Sequence, residues 1–538
     1  MRTDASLWRI NEMSGVNLVS GLKNIVYFLD FADVVGGSNK VLLTQAYIMK
    51  QRGYRVRMVI PGREGKKPLE ELYEICERYG LETVTAHYTV ATCMENIDIL
   101  KALGDYKEIV GLLAADRPDI VHSAQLNIAA ELAARDLGIP HLMNIYQVDE
   151  EAFYLDWLGV YPRYHSADSY LFARRWGKGL EIPSRCIRVA YEGDESNGST
   201  RRIKDHITVL SIGVFCEHKN QLEILKFVLQ CKNSGRKVKL IFLGADDNAY
   251  GKKCREFVKQ NELSEEVTFE GFVLNIEDYF READLFILAS KVESYPGVIV
   301  ESMANKIPII STPVAGVPEL LVNKENGFLS KGYKACDLCE AFWTYMDFRE
   351  KDRMAQIVEN AYTTYLDNHT YAVVGDQLDD YYRWIIKDHS SKKTPCLTAG
   401  EIENIFQKTI VDRNLGDIEP QTKNLIWFLY HAFSAIEQKD NKKMIIWGAG
   451  LWGSRVLEWV HAWKGNIEFA GFIDLNKQGT HLGYSILEKT EDAIEESGTI
   501  IVAMRDIETI LEIMHCLDMH KKVRNKDYFL TCNAPIRI

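Results

Sequence analysis

Two carboxylates eight positions apart, Glu293 and Glu301, are the residues of this chain whose placement most suggests chemistry. They lie in ASKVESYPGVIVESMANKIPIISTPVAGVPELL, residues 289–321. The apolar run DLFILAS reads as a strand whose C-terminal end delivers Glu293. A helix over 297–304 would then carry Glu301 in or near its first turn. In open α/β sheets, ligands bind outside the carboxyl ends of strands, beside helix N-termini that attract phosphate. One carboxylate could accept hydrogen bonds from a vicinal diol while the other faces a reacting centre. The bland alternative is a pair of solvated glutamates at a helix end.

Two glycine clusters could also serve a phosphorylated ligand. Gly36 and Gly37 lie between a predicted strand, NIVYFLDF, and a predicted helix over 38–52; without side chains their amides could approach a diphosphate. The competing reading is a tight turn into the helix. Near the C-terminus, KMIIWGAGLWGSRVLEWV sets Gly448, Gly450 and Gly453 as G-x-G-x-x-G between a strand and a helix, and Asp474 follows Gly453 by 21 residues. That is the context of a dinucleotide-binding fingerprint, with the acid placed for a ribose hydroxyl. The rival is a packing or assembly module. No clear proton relay follows Asp474, so a second catalytic activity has the least support.

These residues need a scaffold of parallel strands and crossover helices, and the chain supplies the pattern three times. Strands at NIVYFLDF, RVRMVIP, DIVHS and HLMNIY alternate with helical stretches, as do ITVLSIG, KVKLIFLG, EVTFEGF, DLFILAS and IPIIST, and again KMIIW and EFAGFID. At about 150 residues per domain, 538 residues predict three or four domains. We expect a lead-in over 1–22, one α/β domain over 23–198 and a second over 199–370. A crossover helix over 371–390, a helical linker over 391–440 and a smaller Rossmann-like domain over 441–538 follow.

Composition excludes several classes. Lys and Arg total 64 against 76 Asp and Glu, a net charge of −12 that provides no field for nucleic acid. Eleven scattered cysteines fit a reducing compartment. The lone C-x-x-C, Cys336 and Cys339, lacks a second ligand pair and reads as two packed thiols rather than a zinc or redox site. The polar N-terminus is unlike a secretory signal, and the apolar stretch 425–436 is too short to span a bilayer. A cytoplasmic protein is expected. Two basic clusters, Arg63, Lys66 and Lys67, and Arg174, Arg175, Trp176 and Lys178, are candidates for peripheral docking at the inner face of the membrane, against a reading as ordinary solvated surface.

The segment 289–321 resembles the E-x7-E element of family 4 glycosyltransferases, the retaining GT-B enzymes. Glu293, Tyr295, Pro296, Val298, Glu301, Met303, Ala304, Pro308 and Thr312 match it, and Gly316, Pro318 and Glu319 match the turn that follows. The resemblance spans roughly 24–388. It implies a GT-B fold, two Rossmann-like domains facing across a cleft, and sugar transfer from a nucleoside diphosphate donor to a glycan or lipid-linked acceptor, as in surface polysaccharide assembly. It implies that Glu301 binds the ribose hydroxyls and that Glu293 sits at the donor sugar. Gly297 and Val298 would line the donor at the helix start, and Lys219 would hold the diphosphate beside the Gly36–Gly37 pair. Base recognition would fall to backbone groups near 271–273.

Two positions depart from the pattern. Val214 stands where the family usually has an arginine, leaving Lys252, Lys253 and Arg255 as weak substitutes. Tyr146, with Gln147 and Asp149 nearby, stands where an acceptor-side histidine is common. No Asp-x-Asp ends a strand, Asp246-Asp247 being the nearest acidic pair, so metal-independent transfer is expected. The C-terminal stretch GFIDLNKQGTHLGYSIL resembles small nucleotide-binding modules attached to sugar-modifying transferases. Rival readings are another GT-B nucleotide-sugar enzyme, such as an epimerase, and a nucleotide-sugar-binding protein with weakened catalysis.

Overall fold

The computed structural model describes residues 22–30, 37–62, 70–88, 90, 99–146, 163–180, 182–193, 205–273, 275–391, 429, 432–433, 435–462, 466–487, 491–504, 507–523 and 526–531. Three sheets organise them. The first contains β1 (Asn24–Phe28), β2 (Arg55–Gly62), β3 (Glu82–His87), β4 (Ile120–Ala124), β5 (His141–Asn144), β6 (Tyr164–Ala167) and β7 (Ser184–Cys186), in the order β3-β2-β1-β4-β5-β6-β7. The second contains β8 (Ile207–Ile212), β9 (Val238–Leu243), β10 (Val267–Phe269), β11 (Leu285–Leu288), β12 (Ile309–Ser311) and β13 (Phe328–Leu329), in the order β10-β9-β8-β11-β12-β13.

All pairings in both sheets are parallel. The central strands are covered on both faces: β4, β5, β6 and β11 are buried at every position, although β4, β5 and β6 carry buried His122, His141 and His165 among their apolar residues. In each sheet the chain first adds strands on one side of the opening strand, then crosses to the other. The reversal falls between β1 and β4 in the first domain and between β8 and β11 in the second, so the loops leaving those strands splay apart and form a crevice.

The third sheet contains β14 (Lys443–Trp447), β15 (Glu468–Ile473), β16 (Gly479–His481), β17 (Tyr484–Leu487), β18 (Thr499–Val502) and β19 (Tyr528–Leu530), in the order β16-β17-β15-β14-β18-β19. β16 and β17 form an antiparallel edge hairpin that the parallel pattern did not lead us to expect. Leu482 and Gly483 turn it with φ of 51° and 83°, the left-handed conformation that tight hairpins demand. Leu429, Ala432, Phe433 and Ile436, the described end of the connector, pack into the core of this sheet beside Met444 and Ile446.

Helix Tyr371–Ser391 returns to the first domain. Val374, Leu378, Tyr381, Tyr382 and Ile385 follow a helical period and join Ile25, Tyr27, Leu42 and Met58 in one core. Inside it the Tyr382 hydroxyl bonds to the Tyr27 hydroxyl at 2.7 Å and to His122 Nδ1 at 2.6 Å. Burial depresses His122 to about 3, so this network is held by a neutral imidazole.

Candidate active site

Glu293 and Lys219 meet at the crevice of the second domain. The loop after β8 carries Lys219 and the loop after β11 carries Glu293. Three contacts fasten the loops together. Asn220 Nδ2 donates to Ala289 O at 3.0 Å, Lys291 N–H donates to His218 O at 2.7 Å, and Lys219 Nζ pairs with Glu293 Oε1 at 2.5 Å. The same Glu293 oxygen accepts from Ser290 Oγ at 2.6 Å, and Thr312 Oγ1 holds the Ser290 carbonyl at 2.6 Å. Both of these side-chain bonds to Glu293 end on Oε1.

Backbone shape makes the approach possible. Asn220 adopts φ of 60° immediately before helix Gln221–Asn233, turning the chain sharply after Lys219. Behind the loop, a Cβ on Gly244 would lie 2.1 Å from Gly213 O, and Gly244 has φ of +143°. Only glycine allows that contact. Val214 is half exposed in this loop, and its carbonyl accepts from Gln221 Nε2 at 2.9 Å. Of the suggested replacements for the missing cation, Arg255 pairs with Asp246 at 2.5 Å and Lys253 with Glu217 at 3.4 Å.

Helix Gly297–Ala304 begins after Pro296, as expected, and Glu301 is its fifth residue, just past the first turn. Gly297 and Val298 form the helix start beside it. Glu301 is buried, and its Oε1 pairs with Lys40 from helix Gly37–Gln51 of the first domain. Its Oε2 has no hydrogen-bond partner among the described residues. Gly37 opens the Lys40 helix with nothing within 4 Å of an added Cβ; Gly36 lies outside the described residues.

A second set of contacts crosses the cleft near Glu293. Ser294 Oγ donates to Asp168 Oδ1 at 2.5 Å, and a Cβ on Gly316 would meet Ser294 O at 1.9 Å. Glu319 accepts the Tyr170 and Leu171 amides, each at 2.9 Å, thereby closing the N-terminus of the first-domain helix Tyr170–Leu180. Glu319 also binds Arg188 at 2.8 Å, whose guanidinium lies 4.4 Å from the Tyr170 ring centre and 4.6 Å from that of Tyr295. Burial pushes the Asp168 carboxyl up to about 7, against the opposing hydrogen bond from Ser294.

Tyr146 follows β5 and is partly buried, with its hydroxyl held by Asn144 Nδ2. Burial raises its phenol well above the usual range, with Asp168 and Asp30 adding to the effect. Gln147, Asp149, Arg63, Lys66 and Lys67 lie outside the described residues. Trp176 is fully buried in the first-domain core, so it offers no aromatic anchor for a membrane. Cys336 is exposed at the start of its helix rather than packed, whereas Cys339 bonds to Gln230 Oε1 at 2.9 Å.

In the third unit Gly448, Gly450 and Gly453 lie in and just after the loop that follows β14, and Asp474 meets that loop from the end of the neighbouring strand β15. Gly453 permits helix Leu451–Ala462 to pack on the loop, since a Cβ there would lie 1.9 Å from Gly448 O. Gly450 faces open space. Asp474 Oδ2 accepts from Ala449 N at 2.7 Å, and Oδ1 accepts from Asn476 N at 2.9 Å and Lys477 N at 3.0 Å. The acid thus braces the glycine loop through backbone amides. Sequence reasoning had assigned it only a ribose.

Sequence reasoning also missed Lys40, Asp168, Ser290, Ser294 and Arg188. The one local signal was the position of Lys40, one helical turn beyond the glycine pair. Among the described residues, no helix is long and apolar enough to cross a membrane, and no cluster of three or more His, Cys, Asp or Glu could hold a metal ion.

Two Rossmann-like domains with facing crevices, joined by a returning C-terminal helix, make a GT-B fold, accompanied by a third α/β sheet. Residues 194–364 match the family described as "Glycosyl transferases group 1", and this part of the chain is a domain of that kind. The chain is similar to an uncharacterized glycosyltransferase of Haemophilus influenzae, with 24% identity over 318 residues, covering 57% of this chain and 86% of the relative. It is also similar to the capsular polysaccharide biosynthesis glycosyltransferase CapH of Staphylococcus aureus, 26% identical over 149 residues, 27% of this chain and 39% of CapH. The crystal structure of Anabaena HepE in complex with UDP-glucose superposes with a TM-score of 0.55 at 16% identity, covering 67% of this chain and 99% of HepE. At that identity the likeness speaks for the fold alone.

Proposed function

We propose that this chain is a retaining glycosyltransferase that moves a sugar from a nucleoside diphosphate donor to a glycan or lipid-linked acceptor in cell-surface polysaccharide synthesis. The observation that carries this reading is the Lys219–Glu293 pair at the reversal point of the group 1 domain, with the buried Glu301 eight positions on. The capsular role of CapH supports the polysaccharide context, and the UDP-glucose bound to HepE makes UDP-sugars the first donors to test.

In this reading Lys219 holds the diphosphate. Breaking the sugar–phosphate bond leaves additional charge on the β-phosphate, and an ammonium there is worth more in the transition state than in the ground state. Glu293, its Oε1 fixed by Ser290 and Lys219, directs Oε2 at the donor sugar and the positive charge that develops at its anomeric carbon. Glu301 receives the ribose diol, and Gly37 with Gly297 and Val298 lets backbone amides approach the phosphates. The acceptor enters from the first-domain side, near Tyr146. The leaving phosphate takes the acceptor proton, so no separate protein base is required, and transfer proceeds without a metal.

The test is donor turnover followed by NMR of the product anomer. Transfer with retention, unchanged by EDTA and lost in Lys219→Ala, supports the reading; inversion or a strict metal requirement overturns that part of it. For the third unit we propose nucleotide binding at the Gly448–Gly453 loop, supported by the open space at Gly450. In the full chain carrying Lys219→Ala and Glu301→Gln, residual nucleotide binding should disappear on adding Gly450→Val. Absence of such residual binding would leave the unit an assembly module. The protein would act in the cytoplasm, at the inner face of the membrane where lipid-linked acceptors are presented.

A further inference from the structure

Glu301 is held from across the cleft. Lys40 belongs to the first domain and Glu301 to the second, 261 positions apart, yet the ammonium pairs with Oε1. The two ends are unequally exposed, 53% for the Lys40 side chain and 6% for that of Glu301. Oε2 is buried and has no partner among the described residues. Leaving a buried carboxylate oxygen unpaired costs free energy, so the position is suited to receiving a donor from a ligand.

The backbone beneath Glu301 is also fixed: its carbonyl accepts from Asn305 N at 3.1 Å and Asn305 Nδ2 at 2.8 Å. The side-chain torsions remain to be set, and Lys40 sets them by capturing one oxygen. Desolvation at the domain contact acts to lower the Lys40 ammonium; the Glu301 carboxylate, with smaller contributions from Tyr79 and Glu277, more than offsets it and raises the group.

We propose that Lys40 is a positioning residue that orients the Glu301 carboxylate toward the vicinal diol of a bound nucleoside, so that ribose recognition is completed only when the two domains close. This rests on the donor reading above. The coupling is reciprocal: if closure brings Lys40 to Glu301, then a ribose that favours the oriented carboxylate favours closure equally. One oxygen of Glu301 serves the protein and the other serves the ligand.

The experiment is a comparison of UDP with 2′,3′-dideoxy-UDP by titration calorimetry on the full chain, using the unaltered protein, Lys40→Met, Lys40→Arg and Glu301→Gln. The unaltered protein should prefer UDP on the order of 10-fold, the scale of a hydrogen bond to a charged group. Lys40→Met should lose most of that preference while holding dideoxy-UDP within about 2-fold, and Lys40→Arg should retain it. If Lys40→Met does not fold, Lys40→Gln is the same test. Equal weakening of both nucleotides in Lys40→Met would place the ammonium on the phosphates and overturn the proposal, as would an undiminished preference. Loss of the preference in Glu301→Gln but not in Lys40→Met removes the Lys40 role and leaves the donor reading standing. If the unaltered chain binds none of UDP, GDP or ADP, the donor reading itself falls and this proposal with it.

Discussion

At the scale of single residues, the proposed mechanism divides the chemistry between Glu293 and Lys219. Glu293→Gln keeps the shape that meets Ser290 and Lys219 but removes the charge. Donor binding should change only a few-fold, while transfer should fall by about 10²–10³-fold, measured as kcat with saturating donor. Asp168 gives a pH prediction. Its carboxyl titrates at about 7 in the folded chain, against about 3.9 when unfolded. Between those values the folded state binds more protons, so stability falls as pH rises, and the whole penalty applies above pH 7. Asp168→Asn removes the penalty, and its Tm gain over the unaltered protein should be larger at pH 8 than at pH 5; a constant difference in thermal scans would contradict the assignment. Glu293 and Glu301 were legible in the sequence because one strand end and one helix start carry both. Lys40 and Asp168 were not, because their partners lie 261 and 126 positions away.

At the scale of elements, the loops after β8 and β11 act as one piece because backbone and side-chain bonds join them at three points. Gly244→Ala tests this: the added methyl would collide with Gly213 O, and the backbone there suits only glycine. A loss of about 2 kcal/mol or more is expected in chemical denaturation, with weakened donor binding as the Lys219 loop shifts. Alternation of apolar strands and periodic helices made the central parallel strands readable, whereas β3, β6, β7, β13, β18 and β19 went unread, most of them being short or mixed in polarity. The hairpin of β16 and β17 escaped because its strands are only three and four residues long and none of their residues is buried. The helix that carries Glu301 was readable to the residue, because Pro296 stops the preceding loop directly before Gly297. The bracing of the glycine loop by Asp474 was hidden: the fingerprint spacing names an acid for a ligand and is silent on the amides it also meets.

At the scale of the whole molecule, the two domains are clamped on both sides of the cleft, by Lys40 to Glu301 and by Glu319 to Arg188 and the helix Tyr170–Leu180. Glu319→Ala strips that helix of its cap and leaves Arg188 without its carboxylate. We expect a loss of about 1–3 kcal/mol and a larger radius of gyration by small-angle scattering; unchanged scattering would mean the clamp does not govern domain spacing. The turn residues Gly316, Pro318 and Glu319 were visible as a motif, but their work in joining the domains emerges only when Ser294, Asp168 and Arg188 are placed beside them. Trp459 of the third unit packs against the first-domain core as well as its own. The net charge of −12 is compatible with the proposed diphosphate site because Lys219 would act on it locally. The most direct measurement is a thermal-shift titration of the full chain with UDP-, GDP- and ADP-sugars, repeated on Lys219→Ala and Glu301→Gln. One donor class should raise Tm in the unaltered protein, with most of the rise lost in each variant; a rise that survives both substitutions, or no rise with any donor at millimolar concentration, would contradict a donor site built from Lys219, Glu293 and Glu301.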